Sequence, residues 1–302
     1  MDNLLHRLDL TMRLLKSKGQ EPLAQYIAGQ QETLQRIREG APYLLCTYYF
    51  PPELLQLYDV EALYIERIVG LVVSTGLLEG LSSFLSPTTC SYQRAFAYLM
   101  EQGMLPMPRY LFSVDFPCGD AAGMMERLHE RWRIPIHHIR KQFLKHDLMA
   151  AADLLESRFP RKRSEGEVSR LYNQAKDYKR RIDALRLRHP GIADSGEMLK
   201  LFTVENDFGS KKALAVLQTL YHSLTRKAVD WQERNEFRIL WMGLIPLYDN
   251  NLLSKIEAKL PVRFVWEEMW MFDHPDCPPT AQLAGDMRVL FYSQMAERLC
   301  AS

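Results

Sequence analysis

The sequence predicts an α/β protein in which parallel sheets are covered by helices on both faces and divided between two lobes, with a helical belt between them. Two observations predict it. Short apolar, aromatic and β-branched runs alternate with long amphipathic stretches along most of the chain. A chain of 302 residues with 47% hydrophobic and 25% charged residues also has enough apolar material for one large domain or two lobes.

The elements follow in order. Leu4, Leu5, Leu8, Leu10, Leu14 and Leu15 recur at helical spacing, and Gly40-Ala41-Pro42 is a stop signal, so residues 1–40 read as an N-terminal helical arm. The first lobe, residues 41–160, opens on a strand over Tyr43–Phe50, breaks at Pro51-Pro52 and restarts as a helix over Glu53–Tyr58. A Gly-rich segment around residues 70–80 leads to Ser86-Pro87-Thr88-Thr89-Cys90 and a helix over Tyr92–Gln102, which sets Cys90 near a helix start. Arg109–Phe116 alternates as a strand and ends at Pro117-Cys118-Gly119-Asp120, before a helix over Ala121–Trp132. Ile134–Ile139 reads as a short strand. Helices over Lys141–Phe159 and Glu165–Leu187 flank the basic turn Pro160–Ser164. Residues 161–232 form the helical connecting segment, continued by Met198–Phe202 and Lys211–Trp231. The second lobe, residues 233–302, has a strand over Phe237–Met242, a helix over Asn251–Lys259 and a strand over Val262–Trp266, and reads as curtailed.

Lys and Arg number 38 against 37 Asp and Glu, so no global field argues for nucleic acid or an anionic membrane as partner. The most apolar stretch, Ile68–Leu85, is interrupted by Gly70, Gly76, Glu79 and Gly80 and makes a poor membrane span. The amino terminus mixes charges into its apolar pattern, unlike a signal peptide, which leads to the expectation of a cytoplasmic protein. Five widely spread cysteines then read as reduced thiols or metal ligands before disulfides.

Phosphate-loop, GxGxxG, HExxH, GxSxG and CxxC signatures are absent. What remains is a set of single cysteines in turn-rich loops. In doubly wound sheets ligands sit beyond the carboxyl ends of strands, where Cys46, Cys118 and the stretch Glu267–Trp270 fall, with Cys90 in a loop of the same lobe. Separate loops can deliver soft thiolates to an iron–sulfur cluster. The plain alternative is that each is a small buried hydrophobe.

Several segments carry a family resemblance. SPTTC (Ser86–Cys90) before a helix, DFPCGDAAGMMERL (Asp115–Leu128), RIPIHHI (Arg133–Ile139) and CTYYFPPELL (Cys46–Leu55) resemble the 2-hydroxyacyl-CoA dehydratase and benzoyl-CoA reductase subunit family. So do Ser169–Arg186 and Phe237–Glu268, so the resemblance covers about residues 40–275. It implies two Rossmann-like lobes, a homologous second subunit, a cysteine-bound [4Fe-4S] cluster, a coenzyme A thioester substrate and an ATP-dependent electron-donating activator. In the dehydratases the thioester becomes a ketyl radical that expels the 2-hydroxyl group. Cys90 and Cys118 match the first two cluster cysteines. At the third position this chain reads Glu267-Glu268-Met269-Trp270, which leaves Cys277 or Cys46 as the third candidate. Trp266 and Trp270 would fill the cluster's space in a cluster-free, non-catalytic partner or scaffold subunit, the alternative function.

Glu53 and Glu66 follow the Cys46 loop and are the candidate catalytic acids, able to hydrogen-bond a substrate hydroxyl or carbonyl, with solvated or capping roles as the alternative. His137 and His138, adjacent in a strand, point to opposite faces and read as structural. Arg161-Lys162-Arg163 and Lys179-Arg180-Arg181 carry charge suited to coenzyme A phosphates, although such faces are usually solvated.

Overall fold

The computed structural model describes residues 1–116, 118–242 and 252–267, except for the side chains of Trp266 and Glu267. Helices α1 (Asp2–Ser17) and α2 (Glu21–Arg38) form a hairpin about Gly19, whose φ of 71° suits glycine at the turn. Leu4, Leu5, Leu8 and Leu15 make the buried stripe of α1, whereas Leu10 and Leu14 are 47% and 53% exposed. At 100° per residue these two lie on the opposite flank, so not every apolar position read from the sequence faces the core. The hairpin is packed rather than free. α2 lies against α9 (Ser195–Leu201) and α10 (Lys211–Val229), and its buried residues share one core with theirs.

Strands β1 (Tyr43–Cys46), β2 (Glu61–Tyr64), β3 (Tyr110–Val114) and β4 (Ile136–Ile139) form a parallel sheet in the order β2-β1-β3-β4. β1 is shorter than its apolar run suggests, because the chain turns after Cys46, with Phe50 N donating to Thr47 O at 3.0 Å. β2 went unread in the sequence. Glu61-Ala62-Leu63-Tyr64 has little β-branched content, and its strand form comes from pairing with β1.

Strand periodicity divides the core between the sheet's two faces. Tyr43, Leu45, Leu63 and Leu111 join α2, α4 (Ile65–Ser74), α5 (Ser91–Glu101) and α6 (Gly119–Trp132) in the larger core. Leu44, Cys46, Tyr64, Phe112 and Val114 pack on the other face with α3 (Pro52–Leu55) and α7 (Leu144–Arg158). Helices therefore cover both faces of the sheet.

α8 (Glu165–Arg188) starts on a capping sequence, Ser164-Glu165-Gly166-Glu167, in which Ser164 Oγ accepts from Glu167 N at 3.2 Å. A second, two-stranded parallel sheet pairs β5 (Phe237–Trp241) with β6 (Val262–Glu267), linked through α11 (Leu252–Lys259). It is fastened to α9. Ser195 Oγ donates to Glu257 Oε1 at 2.8 Å, and the same oxygen accepts Phe264 N at 2.9 Å. Arg263 donates to both carboxyl oxygens of Glu236 at 2.9 Å and lies against Gly191, where a Cβ would meet its side chain at 2.9 Å. The rest of the expected second lobe, residues 268–302, lies outside the described residues. No helix among the described residues is long and apolar enough to cross a membrane.

One buried ion pair joins the first sheet to the helical layers. Arg67 of α4, 4% exposed, donates from Nη1 to Asp207 Oδ2 at 2.8 Å and stands 5.1 Å over the Tyr64 ring. Asp207 ends a 3-10 segment, Phe202–Asp207, and also accepts Gln30 Nε2 of α2 at 2.9 Å. The Tyr26 hydroxyl bonds Thr203 Oγ1 of the same segment. Burial works against the guanidinium charge, but Asp207 and Tyr26 outweigh it and keep the Arg67 pKa above its ordinary value.

Asp207→Ala strands that buried charge and is expected to cost about 3–5 kcal/mol, read as a lower urea midpoint. Arg67→Met combined with Asp207→Leu should cost less than Asp207→Ala alone, because no unpaired ion is left. A second pair responds to acid. Arg140 Nε and Nη2 donate to Asp147 at 2.8 Å each and Arg140 N at 3.0 Å, which holds the Asp147 carboxyl well below the usual carboxylate range. A depressed folded-state pKa gives stability that is present above the unfolded value, about 4, and lost as the pH falls through the folded one. Asp147→Asn should therefore unfold at lower urea than the parent at neutral pH, by roughly 1.5–3 kcal/mol, and the gap should close on acidification.

Candidate active site

The carboxyl ends of β1, β2 and β3 meet on one side of the sheet, where ligands settle in parallel α/β folds. Beyond β1, Thr47 N donates to Phe112 O at 3.1 Å, and Thr47 Oγ1 accepts Val114 N at 2.9 Å, which prolongs the β1–β3 pairing by one residue. Tyr48 follows. Its carbonyl accepts Asn206 Nδ2 at 3.0 Å, and its ring stacks on Phe202 at 5.7 Å. Beyond β2 the chain enters α4 directly and places Glu66 in its first turn.

Cys118 is the N-cap of α6, and Cys90 is the N-cap of α5. The two helix starts are tied together, since Cys90 N donates to Asp120 Oδ2 at 2.7 Å. Both thiols are partly exposed and free. Burial pushes the Cys118 thiol up and the Ala121 amide opposes it, while the charges of Glu66 and Cys90 raise it further, so these groups share one electrostatic neighbourhood. Glu66 is pushed up to about 7 by burial of its carboxyl. Its own backbone amide, the Gln93 amide at 3.4 Å and the Tyr48 backbone amide offset only part of that cost. Near neutral pH Glu66 is thus divided between acid and carboxylate, the state suited to exchanging a proton.

The remaining sequence candidates lie elsewhere. Cys46 is fully buried on the other face of the sheet, packed with Tyr64 and Phe112, and burial raises its thiol pKa. Glu53 is buried in α3, and its charge acts on the Tyr64 hydroxyl on that same face, apart from Glu66. Cys277 and Trp270 lie outside the described residues. His137 and His138 do diverge: His137 Nε2 bonds Asp147 O at 2.9 Å, while His138 Nε2 meets Glu126 at 2.8 Å and its Nδ1 meets Asp115 at 3.2 Å. Lys179 is not on a solvated face, being 3% exposed and paired with Glu205 at 3.2 Å. Arg161 pairs with Glu165 at 2.8 Å, and Arg163 donates to Gln56 Oε1 at 2.9 Å.

Among the described residues no group of three His, Cys, Asp or Glu is placed to hold a metal ion. The donor set there offers two thiols, Cys90 and Cys118. Sequence reasoning missed Gln93, Asp120, Tyr48 and Asn206. The first two had a legible signal, each lying within the first helical turn after a candidate cysteine.

Glu66→Gln tests the raised carboxyl. Below about 4.5 the proton is held folded and unfolded; between about 4.5 and about 7 only the folded chain holds it, so stability falls as the pH rises through that window. The parent should lose on the order of 2 kcal/mol between about pH 5 and pH 7.5 by urea unfolding, after allowance for partial exposure, and Glu66→Gln should lack that slope.

No curated protein matches the chain. The family model for 2-hydroxyglutaryl-CoA dehydratase, D-component, matches residues 47–300, a span that holds Glu66, Cys90, Cys118 and Cys277. The chain belongs to the 2-hydroxyglutaryl-CoA dehydratase D-component family.

Proposed function

We propose that the chain is a subunit of an iron–sulfur enzyme of the 2-hydroxyacyl-CoA dehydratase or benzoyl-CoA reductase type, built on two Rossmann-like lobes and acting on an acyl-CoA thioester. The observation that carries the reading is the tie between two helix starts, Cys90 and Cys118, at the carboxyl end of a parallel sheet. Thiols there suit a [4Fe-4S] cluster: soft sulfur ligands bind iron, and loops at strand ends can enclose an oxygen-sensitive centre. Cys277 is the third ligand in this reading, since Cys46 is buried on the opposite face of the sheet.

A bound cluster supplies one-electron chemistry at low potential. The chain's own residues do the rest. Asp120 holds the Cys90 loop against α6. Glu66 is the acid–base group, because its carboxyl shares the neighbourhood of Cys118 and changes protonation near neutral pH. Glu53 has no part in proton transfer. A homologous second subunit and an ATP-dependent, electron-donating activator complete the proposed system.

Anaerobic purification followed by iron and sulfide reconstitution tests the assignment. The parent protein should take up iron and sulfide and turn brown, Cys46→Ala should behave like it, and Cys90→Ala, Cys118→Ala and Cys277→Ala should each lose most of the iron. A colourless, iron-free parent, reconstituted with its homologous subunit present, would overturn the cluster and leave a cluster-free partner subunit. Trp270 at the family's third cysteine position favours that outcome.

A further inference from the structure

A second cleft lies away from the thiols. It is bounded by α2, by the chain from Gln56 to the amino end of β2, by Lys162-Arg163 and by the start of α10, and it encloses about 340 Å³. Each of the four acids lining it already has a cation. Arg36 meets Glu61 at 2.9 Å and Asp59 at 3.5 Å, Lys212 meets Glu32 at 2.8 Å, and the buried Arg67 meets Asp207 at 2.8 Å. Lys162 and Lys211 line the same cleft, and among the described residues neither makes an ion pair. Loss of water around its ammonium lowers the Lys162 pKa and Arg163 adds to the effect, which Glu61 and Asp59 oppose only in part.

Two further features define an occupant. Gly209, with a φ of 86°, turns the chain into α10, whose Ser210 cap accepts the Ala213 amide at 3.0 Å. The Lys211 and Lys212 amides of that first turn have no acceptor within the helix, and a helix start favours negative charge. Asn206, 5% exposed, lines the cleft as well. Its Nδ2 is engaged by Tyr48 O, whereas its Oδ1 is buried without a hydrogen-bond partner. A buried acceptor left idle is destabilising, and an occupant with a hydrogen to give removes that cost.

A phosphate monoester meets both demands. Its dianion matches two unpaired ammonium groups and a helix start, while a monoanion leaves one ammonium over. A hydroxyl on the ester supplies the hydrogen for Asn206. We propose that the cleft between α2 and the start of α10 binds a small hydroxylated phosphate monoester through Lys162, Lys211 and the first amides of α10, at a place separate from the thioester site. The sheet sets the two apart: the cleft takes Glu61 and Ala62 at the amino end of β2, whereas Glu66 and Cys118 follow the carboxyl ends of β2 and β3. The inference is independent of the cluster and thioester readings.

Isothermal titration of the full chain at low salt, with glycerol 3-phosphate and with acetate as probes, reads the site. Glycerol 3-phosphate should bind at least about tenfold more tightly than acetate. Lys162→Gln combined with Lys211→Gln should weaken glycerol 3-phosphate at least about tenfold, the effect of losing charge-assisted hydrogen bonds. Either single exchange should weaken it about threefold or more, and stands in if the pair does not fold. Lys16→Gln combined with Lys18→Gln removes the same charge from α1 and should leave the affinity within about twofold. A parent that does not bind glycerol 3-phosphate, or binds acetate equally, overturns the site. Equal weakening by the α1 and cleft variants does the same, since the anion would then follow net charge alone. Displacement of glycerol 3-phosphate by an acyl-CoA also overturns the assignment, because the cleft would then hold the phosphate of the thioester itself.

Discussion

The buried pairing of Arg67 with Asp207 is the constraint on which the site depends. A guanidinium closed off from water needs its counter-ion in place, because removing one partner strands the other. Meeting that need fixes the 3-10 segment Phe202–Asp207 against the first turn of α4. The same segment carries Phe202 and Asn206, which hold the ring and the carbonyl of Tyr48. Glu66 is the residue before Arg67, so the register that seats the ion pair also sets where the carboxyl can go. Gln30 and Tyr26 bring α2 to the same junction. The N-terminal hairpin is thereby part of the support of the site.

The two thiols owe their position to a separate device. Both are N-caps, where the first backbone N–H groups of a helix lie unpaired and favour negative charge. Cys90 comes from the connection between α4 and α5 and Cys118 from the end of β3, and Asp120 closes the gap by accepting the Cys90 amide. Without a metal, burial and the neighbouring acid keep Cys118 toward its protonated form. Metal binding by Cys118 would therefore release a proton.

Polarity is distributed unevenly around this centre. The face of the sheet that holds Cys46 packs Leu44, Phe50, Phe112 and Val114 together and buries the carboxyls of Glu53 and Asp147 beside them, the latter paired with Arg140. The side that holds Glu66 has buried carboxyl and amide groups whose hydrogen-bonding capacity is only partly used. In a low-dielectric interior such groups are costly when idle and selective when engaged. Cys90, Cys118, Glu66 and Gln93 all lie toward one end of the sheet.

The sequence by itself determined the elements whose cause is local. Alternation in Arg109–Phe116, the Gly-Ala-Pro stop after α2, the capping run at Ser164 and the opposed faces of His137 and His138 follow from side-chain periodicity and turn chemistry. The starts of α5 and α6 beside Cys90 and Cys118 were legible for the same reason, while the family was legible from the resemblance of its ordered segments. Tertiary structure decided what depends on distant partners. β2 is a strand because β1 pairs with it, and Lys179 is buried because Glu205 meets it. Cys46 and Glu53 fall away from the site because one residue along a strand reverses the face, and a four-residue helix carries the chain to the far side of the sheet. The position of Glu66 is fixed by the buried arginine that follows it in sequence, which meets its aspartate 140 residues further along the chain.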